Sequence, residues 1–396
     1  MLKGHYGILI LLFLSGNPLF IEYERIVLVL FTLFIFIKQS VSKNVFIELQ
    51  TLQMLCFILA ITIWHNVTFS TVSAITIVGI LCRTVVASYL FKRIANFGEK
   101  LTNVMLVLVL ISFVFEGLRL LLPSLYNVLL ESLPRFGFSN SASAVFYTFH
   151  DGIRNPGPFW EPGVFGGYLA FTVFYRSRIL GRALNDGKGI MLIIGILSTL
   201  STTAFLALLF ILIRKFLDRY AGHLFILKVV YLIPALFMSW FLYQNIPVLG
   251  EKINEQLEYA RAYSSGQAKY TSARFVNILR DLDQIEARPF FGYGFENSNR
   301  LIEKNTHFAN LTVGTTDLFV RLGLIGGLYY LSFIFRNLIR VNFSKQTALE
   351  FVFFILLLSL SEMYFRYTFF WGLVFLKHVP QYNNVSYENK FQRSYF

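Results

Sequence analysis

Apolar residues run along this chain in long blocks broken by short polar stretches, the pattern of helices that cross a membrane. A spanning helix needs about 20 mostly apolar residues. Blocks near that length lie at roughly 6–20, 26–37, 45–64, 71–91, 101–122, 159–175, 189–213, 224–244, 314–335 and 346–376. The polar stretches carry the direction. Lys38/Lys43, Lys92/Arg93/Lys100, Arg176/Arg178/Arg182/Lys188, Arg214/Lys215/Arg219 and Arg336/Arg340/Lys345 are basic clusters, and such clusters mark the cytoplasmic side. Block 189–213 has one at each end, which a single crossing would place on opposite sides. Ser198, Ser201, Thr202 and Thr203 interrupt it midway, so the pattern predicts two half-length helices that go out and return. SEMYFR (361–366) splits block 346–376 in the same way. The expected fold is all-α: one polytopic membrane bundle over 1–396, with about twelve crossings and both termini cytoplasmic.

Composition agrees. Hydrophobic residues make up 56% of the chain and charged residues only 14%, against about 25% charged in soluble domains. The net charge of +13 follows from the basic cytoplasmic clusters. Nucleic acid is not an expected partner, because no basic stripe with interleaved aromatics lies in a water-facing segment. Cys56 and Cys82 both sit inside apolar runs, which argues against a disulfide staple or a CxxC zinc site. The opening MLKGHYGILILLFLSG starts like a leader peptide, but it lacks a small-x-small cleavage pattern and reads as the first helix.

Two long segments remain for the outer side, 123–162 and 245–313, and 245–313 balances eight Lys/Arg against eight Asp/Glu. An amphipathic helix is predicted at about 272–287, closed by Pro289. Its apolar residues Phe275, Ile278, Leu279, Leu282 and Ile285 recur at helical spacing, suited to a bundle or membrane surface. Arg274, Asn277, Asp281 and Arg288 fall towards a polar face. Together these features suggest an outward-facing site with a lid.

The chemistry gathers in a few places. RNPGPFWEPGVFGG (154–167) combines Arg154 and Glu161 with prolines and glycines between two apolar runs. Irregular backbone of this kind must be buried in protein or line a wet cavity. The helix is expected to begin near Pro162 and Gly163, with Glu161 at its positive end. Two readings of Glu161 stand side by side: a helix cap paired with Arg154, or a carboxylate lining the cavity. Gly292 and Gly294 in RPFFGYGFENS permit a tight turn, although neither the Walker pattern nor GxGxxG is present. His307 precedes a membrane helix and is either an interfacial residue or a base for a hydroxyl. Asp317/Arg321, Glu362/Arg366 and Glu116/Arg119 have the spacing of structural helix pairs. Arg83 lies in mid-span and should face the bundle interior or snorkel. The DLD of 281–283 falls on the amphipathic helix and is discounted as a metal motif.

In their order, RNPGPFWEPGVFGGYLAF, LSTLSTTAFLALL, TSARFVNILRDLDQIEARPFFGYGFENS and THFAN followed by GLIGG resemble the Wzy-type O-antigen and capsule polymerases, which share a superfamily with the O-antigen ligases. The resemblance covers about 154–335. It implies a glycosyltransferase in the bacterial plasma membrane that acts on undecaprenyl-pyrophosphate-linked oligosaccharide repeats. The growing glycan moves to another lipid-linked repeat with lipid pyrophosphate as leaving group, without metal, nucleotide or other cofactor, and a chain-length regulator is a possible partner. It further implies arginines on the pyrophosphate and a histidine or glutamate as base. Arginine suits pyrophosphate because it is always charged and binds oxygens in pairs. Arg154, Arg274 and Arg288 are the expected ligands, with His307 and then Glu161 as base. A ligase delivering glycan to a lipid A core, and a lipid-linked sugar flippase or transporter, are the alternatives. This chain departs from the pattern twice: Thr202, not arginine, follows Ser201, and Phe308 and Ala309 separate His307 from Asn310.

Overall fold

A bilayer offers the backbone no water, so each N–H and C=O needs a partner within the protein, and a helix supplies it locally. The chain is accordingly mostly helical. The computed structural model describes residues 3–42, 48–70, 73–136, 141–149, 153–219, 247–265, 273–300, 313–360 and 362–376. The first half contains α1 (Lys3–Phe13), α2 (Pro18–Glu22), α3 (Glu24–Ser42), α4 (Leu49–Phe69), α5 (Ala74–Arg93), α6 (Phe97–Leu121) and α7 (Pro123–Ser132). After a small sheet come α8 (Pro162–Phe174), α9 (Gly187–Ser198), α10 (Thr202–Arg219), α11 (Pro247–Ser264), α12 (Arg274–Ala287), α13 (Gly314–Arg340), α14 (Lys345–Leu358) and the single turn α15 (Thr368–Trp371). Among the described helices, four are long and apolar enough to cross a membrane: α4, α5, α6 and α13. The protein is therefore a helical membrane protein.

The core forms around α8, which is buried along its whole length. A helix that is apolar all round belongs in the middle of a bundle, and α8 packs against α6, α9, α10 and α14. Its glycines let these neighbours approach: a Cβ on Gly166 would lie 2.8 Å from the Ala204 Cβ and the Thr199 Oγ1. Beyond them, Phe174 stacks on Phe354 with ring centroids 4.2 Å apart.

Helix interruptions meet at one end of this bundle. α9 and α10 are separated at Thr199–Ser201, where Leu200 takes φ +46°. The amide of Asn155 donates to the Ser198 carbonyl at 3.1 Å, and Arg154 Nε donates to the Thr199 carbonyl at 3.2 Å. These donors satisfy carbonyls that the end of α9 would otherwise leave unpaired. A second interruption, not foreseen, divides the expected helix 6–20: α1 stops at Phe13 and Asn17 caps α2. Asn17 Nδ2 also donates to the carbonyls of Val145 and Pro158, both at 2.8 Å, and Tyr168 Oη donates to Ser15 O at 3.0 Å. A third lies past α14, where the Thr315 amide of α13 donates to Ser359 O at 3.1 Å.

At the opposite end lie basic residues paired with acids: Arg178 and Arg214 with Glu350, and Arg182 with Glu99 at 2.7 Å. Arg83 turns inward to Glu24, with Nη2 2.8 Å from both carboxylate oxygens. A three-stranded antiparallel sheet, β1 (Arg135–Phe136), β2 (Ser141–Ala144) and β3 (Tyr147–Phe149), occupies part of 123–162 and was not expected from the sequence. Block 224–244 lies outside the described residues.

Candidate active site

Glu161 has the extended backbone of an N-cap and Pro162 fills the first position of α8, where a missing N–H costs nothing. The Glu161 side chain makes no cap hydrogen bond. It instead faces Arg274, the first residue of α12, with Oε1 3.4 Å from Nη2. The same Nη2 lies 3.3 Å from Oε1 of Glu362, in the turn after α14. Arg154 is half-buried, bound to the end of α9 and within electrostatic reach of Glu161, Arg274 and Glu362. Gly163 makes room for both carboxyls: a Cβ there would stand 3.2 Å from Glu362 Oε1 and 3.6 Å from Glu161 Oε1. Residues from four separate stretches thus converge at the interrupted helix ends.

The two carboxyls are not equivalent. The Glu362 side chain is 8% exposed, against 34% for Glu161 and 29% for Arg274. Burial, and next the negative charge of Glu161 beside it, push the Glu362 carboxyl well above the ordinary range, while Arg274 and Arg154 act in the other direction. Desolvation disfavours the charged form of a buried acid. Arg154 and Arg274 thus bring two guanidiniums to one place, a group suited to receive an anion.

A buried network flanks this group. Asp317 accepts from Arg300, from Arg321 Nε at 2.9 and 3.0 Å, and from Arg366 at 2.8 and 2.9 Å. Asp281 of α12 accepts from the Thr316 hydroxyl. Burial first, and then the neighbouring Asp317, push the Asp281 carboxyl up to about 7, against the hydrogen bond from Thr316 and the charges of Arg300 and Arg366. α12 is therefore inverted relative to a soluble helix. Asn277, Asp281 and Gln284 are buried, while Phe275 and Leu282 are exposed. The polar face expected from the sequence is the one that docks.

Of the expected site residues, the structure brings Arg154, Glu161 and Arg274 together, with Pro162 and Gly163 shaping the approach. Arg288 is elsewhere, its guanidinium 4.4 Å from the Phe69 ring centre and 5.4 Å from that of Tyr293. Gly292 (φ +65°) and Gly294 (φ +82°) shape a loop that fills a kink in α13 at Gly323 (φ +68°). There the Tyr293 and Gly294 amides donate to the carbonyls of Val320 and Arg321, so they serve the helix. His307 lies outside the described residues. Asp317–Arg321 and Glu116–Arg119 pair as their spacing predicts. Glu362–Arg366 does not: Glu362 faces Arg274 and Arg366 faces Asp317. The reason is that 364–366 is a 3₁₀ turn, where residues four apart do not share a face. Asp281 and Asp283 of DLD turn to different partners, Thr316 and Tyr263. Glu362 is the residue that sequence reasoning missed as part of the site. Its signal was a carboxylate in an apolar block that stops being helical.

No family model, no curated protein and no solved structure matches this chain.

Proposed function

We propose that the chain is a glycosyltransferase of the polysaccharide-polymerase type, joining oligosaccharide repeats carried on undecaprenyl pyrophosphate. The observation that carries this reading is the convergence of Arg154, Glu161, Arg274 and Glu362 at one end of the bundle, away from the basic clusters. With the basic end cytoplasmic, this group faces the outer side of a bacterial plasma membrane. Arg154 and Arg274 would hold the pyrophosphate of the donor lipid and stabilise the charge that grows on it as it leaves. His307 or Glu161 would take the proton of the acceptor hydroxyl. About twelve crossings, both termini in the cytoplasm and a chain-length regulator as partner belong to the same proposal.

The test is deletion of the gene in its host, followed by gel analysis of the surface polysaccharide. Collapse of a long ladder to a single repeat is expected, and complementation with Arg154→Ala or Arg274→Ala should restore on the order of 1% of polymer or less, the usual loss for one electrostatic stabiliser. Bare acceptor lipid without any repeat would favour a ligase or flippase instead. An unchanged ladder would refute the glycan reading.

A further inference from the structure

The chain around the guanidiniums is buried almost without a break, and two aromatic rings are among the few side chains that come through. Of residues 155–174, only Trp160 and Glu161 escape burial, and of residues 362–376 only Met363, Arg366 and Tyr367 do. Glu161 is directed to Arg274, with Oε1 3.4 Å from Nη2. Trp160, one residue earlier, meets Tyr367 edge to face, with ring centroids 5.1 Å apart and planes at 68°. Tyr367 leads back to the carboxyls. Its ring lies 6.1 Å from that of Tyr364, whose hydroxyl donates to Gly163 O at 3.2 Å, and a Cβ on Gly163 would stand 3.2 Å from Glu362 Oε1. Both rings are mounted on fixed backbone: the Trp160 amide donates to Gly16 O at 3.1 Å and the Tyr367 amide to Tyr364 O at 2.9 Å. Among the described residues, neither Trp160 Nε1 nor Tyr367 Oη has a hydrogen-bond partner. The buried Trp371, by contrast, donates from Nε1 to the Thr84 hydroxyl at 2.9 Å.

Tryptophan and tyrosine also gather where membrane helices meet water, but such rings sit on the rim of a bundle among exposed apolar side chains. Trp64 of α4 is of that kind: it is exposed, packs on Phe291, and has exposed Ile63 and Val67 beside it. Trp160 stands instead at the head of α8, the helix that α6, α9, α10 and α14 surround, between buried Phe159 and charged Glu161. A half-buried ring pair with an open N–H and O–H matches a ligand that is apolar on one face and carries hydroxyls at its edge. A pyranose ring is such a ligand. Its C–H face, slightly positive, rests on the negative face of an aromatic ring, and its hydroxyls pair with an indole N–H and a phenol O–H. We propose that Trp160 and Tyr367 form the subsite for the sugar joined directly to the donor pyrophosphate, holding its ring while Arg154 and Arg274 hold the phosphates. This rests on the function proposed above. The placement follows from the chain: neighbouring Cα atoms are about 3.8 Å apart, so a ring on Trp160 and an anion beside Glu161 are separated by the reach of one sugar unit. Fixed backbone on both sides lowers the ordering cost of binding.

The experiment places the full-length purified protein in nanodiscs and titrates it with two probes: lipid-linked repeats extracted from the deletion strain, and undecaprenyl pyrophosphate without sugar. Wild type should bind the lipid-linked repeat more tightly, by on the order of tenfold for a well-made aromatic contact. Trp160→Leu, which keeps apolar bulk and removes the ring, should bind the two probes with equal affinity. Tyr367→Phe, which keeps the ring and removes its hydroxyl, should lose about threefold of the preference. Trp64→Ala, at the rim, should keep the preference whole. Equal affinity of wild type for the two probes would overturn the proposal. So would a preference that survives in Trp160→Leu, or one that Trp64→Ala loses to the same extent. If Trp160→Leu does not fold, the wild-type comparison and Tyr367→Phe decide in the same way. Wild type that binds neither probe would bring down the proposed function, and this inference with it, whereas every earlier outcome leaves that function standing.

Discussion

Replacing Gly167 by alanine tests whether the packing of α8 places the Glu362 turn. A Cβ at Gly167 would fall 1.7 Å from the hydroxyl oxygen of Tyr364 and 2.6 Å from its Cζ. The tyrosine cannot yield easily. It is fully buried, its ring lies 4.5 Å from that of Phe370, and its hydroxyl donates towards the carbonyls of Gly163 and Val164 at 3.2 and 3.3 Å. The turn carrying Glu362 would have to retreat by well over an ångström. Overpacking of this kind costs about 1–3 kcal/mol, and loss of the tyrosine hydrogen bond adds about 1 kcal/mol. Alanine returns about 1 kcal/mol of helix propensity relative to glycine. A net loss of about 1–3 kcal/mol is expected, together with reduced activity, because the turn that brings Glu362 to Arg274 would move.

Gly117 is the control. It lies within α6, and a Cβ added there would meet nothing inside 4 Å, so Gly117→Ala should stabilise by roughly 0.5–1 kcal/mol. Thermal unfolding of both variants in the same detergent, followed by fluorescence, gives the comparison. Gly167→Ala melting at or above Gly117→Ala would refute the packing argument. Adding Tyr364→Phe to Gly167→Ala should recover part of the loss, since it removes the nearest atom.

Two further outcomes follow from the flanking network. Asp317→Asn leaves Arg300, Arg321 and Arg366 around a neutral amide, and removing one partner of a buried ion cluster costs about 3–5 kcal/mol; the variant should be lost from the folded fraction on size-exclusion chromatography, and a wild-type elution profile would refute this. Asp281 has a folded value raised to about 7, so the folded state holds a proton that the unfolded chain releases at lower pH. The docking of α12 is then firmest below the unfolded carboxylate value and weakens as pH rises through about 7. Hydrogen exchange over 274–287 should quicken across that interval in wild type and not in Asp281→Asn, and equal pH dependence in both would count against it.

Much of the architecture follows from local rules. The apolar blocks specify helices because a membrane interior leaves the backbone no other donor or acceptor. The charged loop before Pro162 set the start of α8, and the serine–threonine interruption set the division of α9 from α10. Arg154, Glu161 and Arg274 could be named from the sequence because charge beside broken helix is costly without a role. Glu362 could not. Its spacing to Arg366 reads as a helix pair, and only the 3₁₀ turn sends the two side chains to different partners, Arg274 and Asp317. Arg288, an expected pyrophosphate ligand, is placed apart from Arg154 and Arg274: Phe69, more than two hundred residues away in sequence order, supplies the ring that its guanidinium covers.

What the sequence by itself determined was where the long apolar helices run, where α8 starts, where α9 gives way to α10 and which face of α12 is polar, all of which depend on neighbours within a turn or two. Which polar face meets which carboxylate, and which of two glutamates is buried, was decided by tertiary structure. Those outcomes depend on contacts between segments more than a hundred residues apart, such as Arg274 with Glu161, and on burial that only the assembled bundle creates.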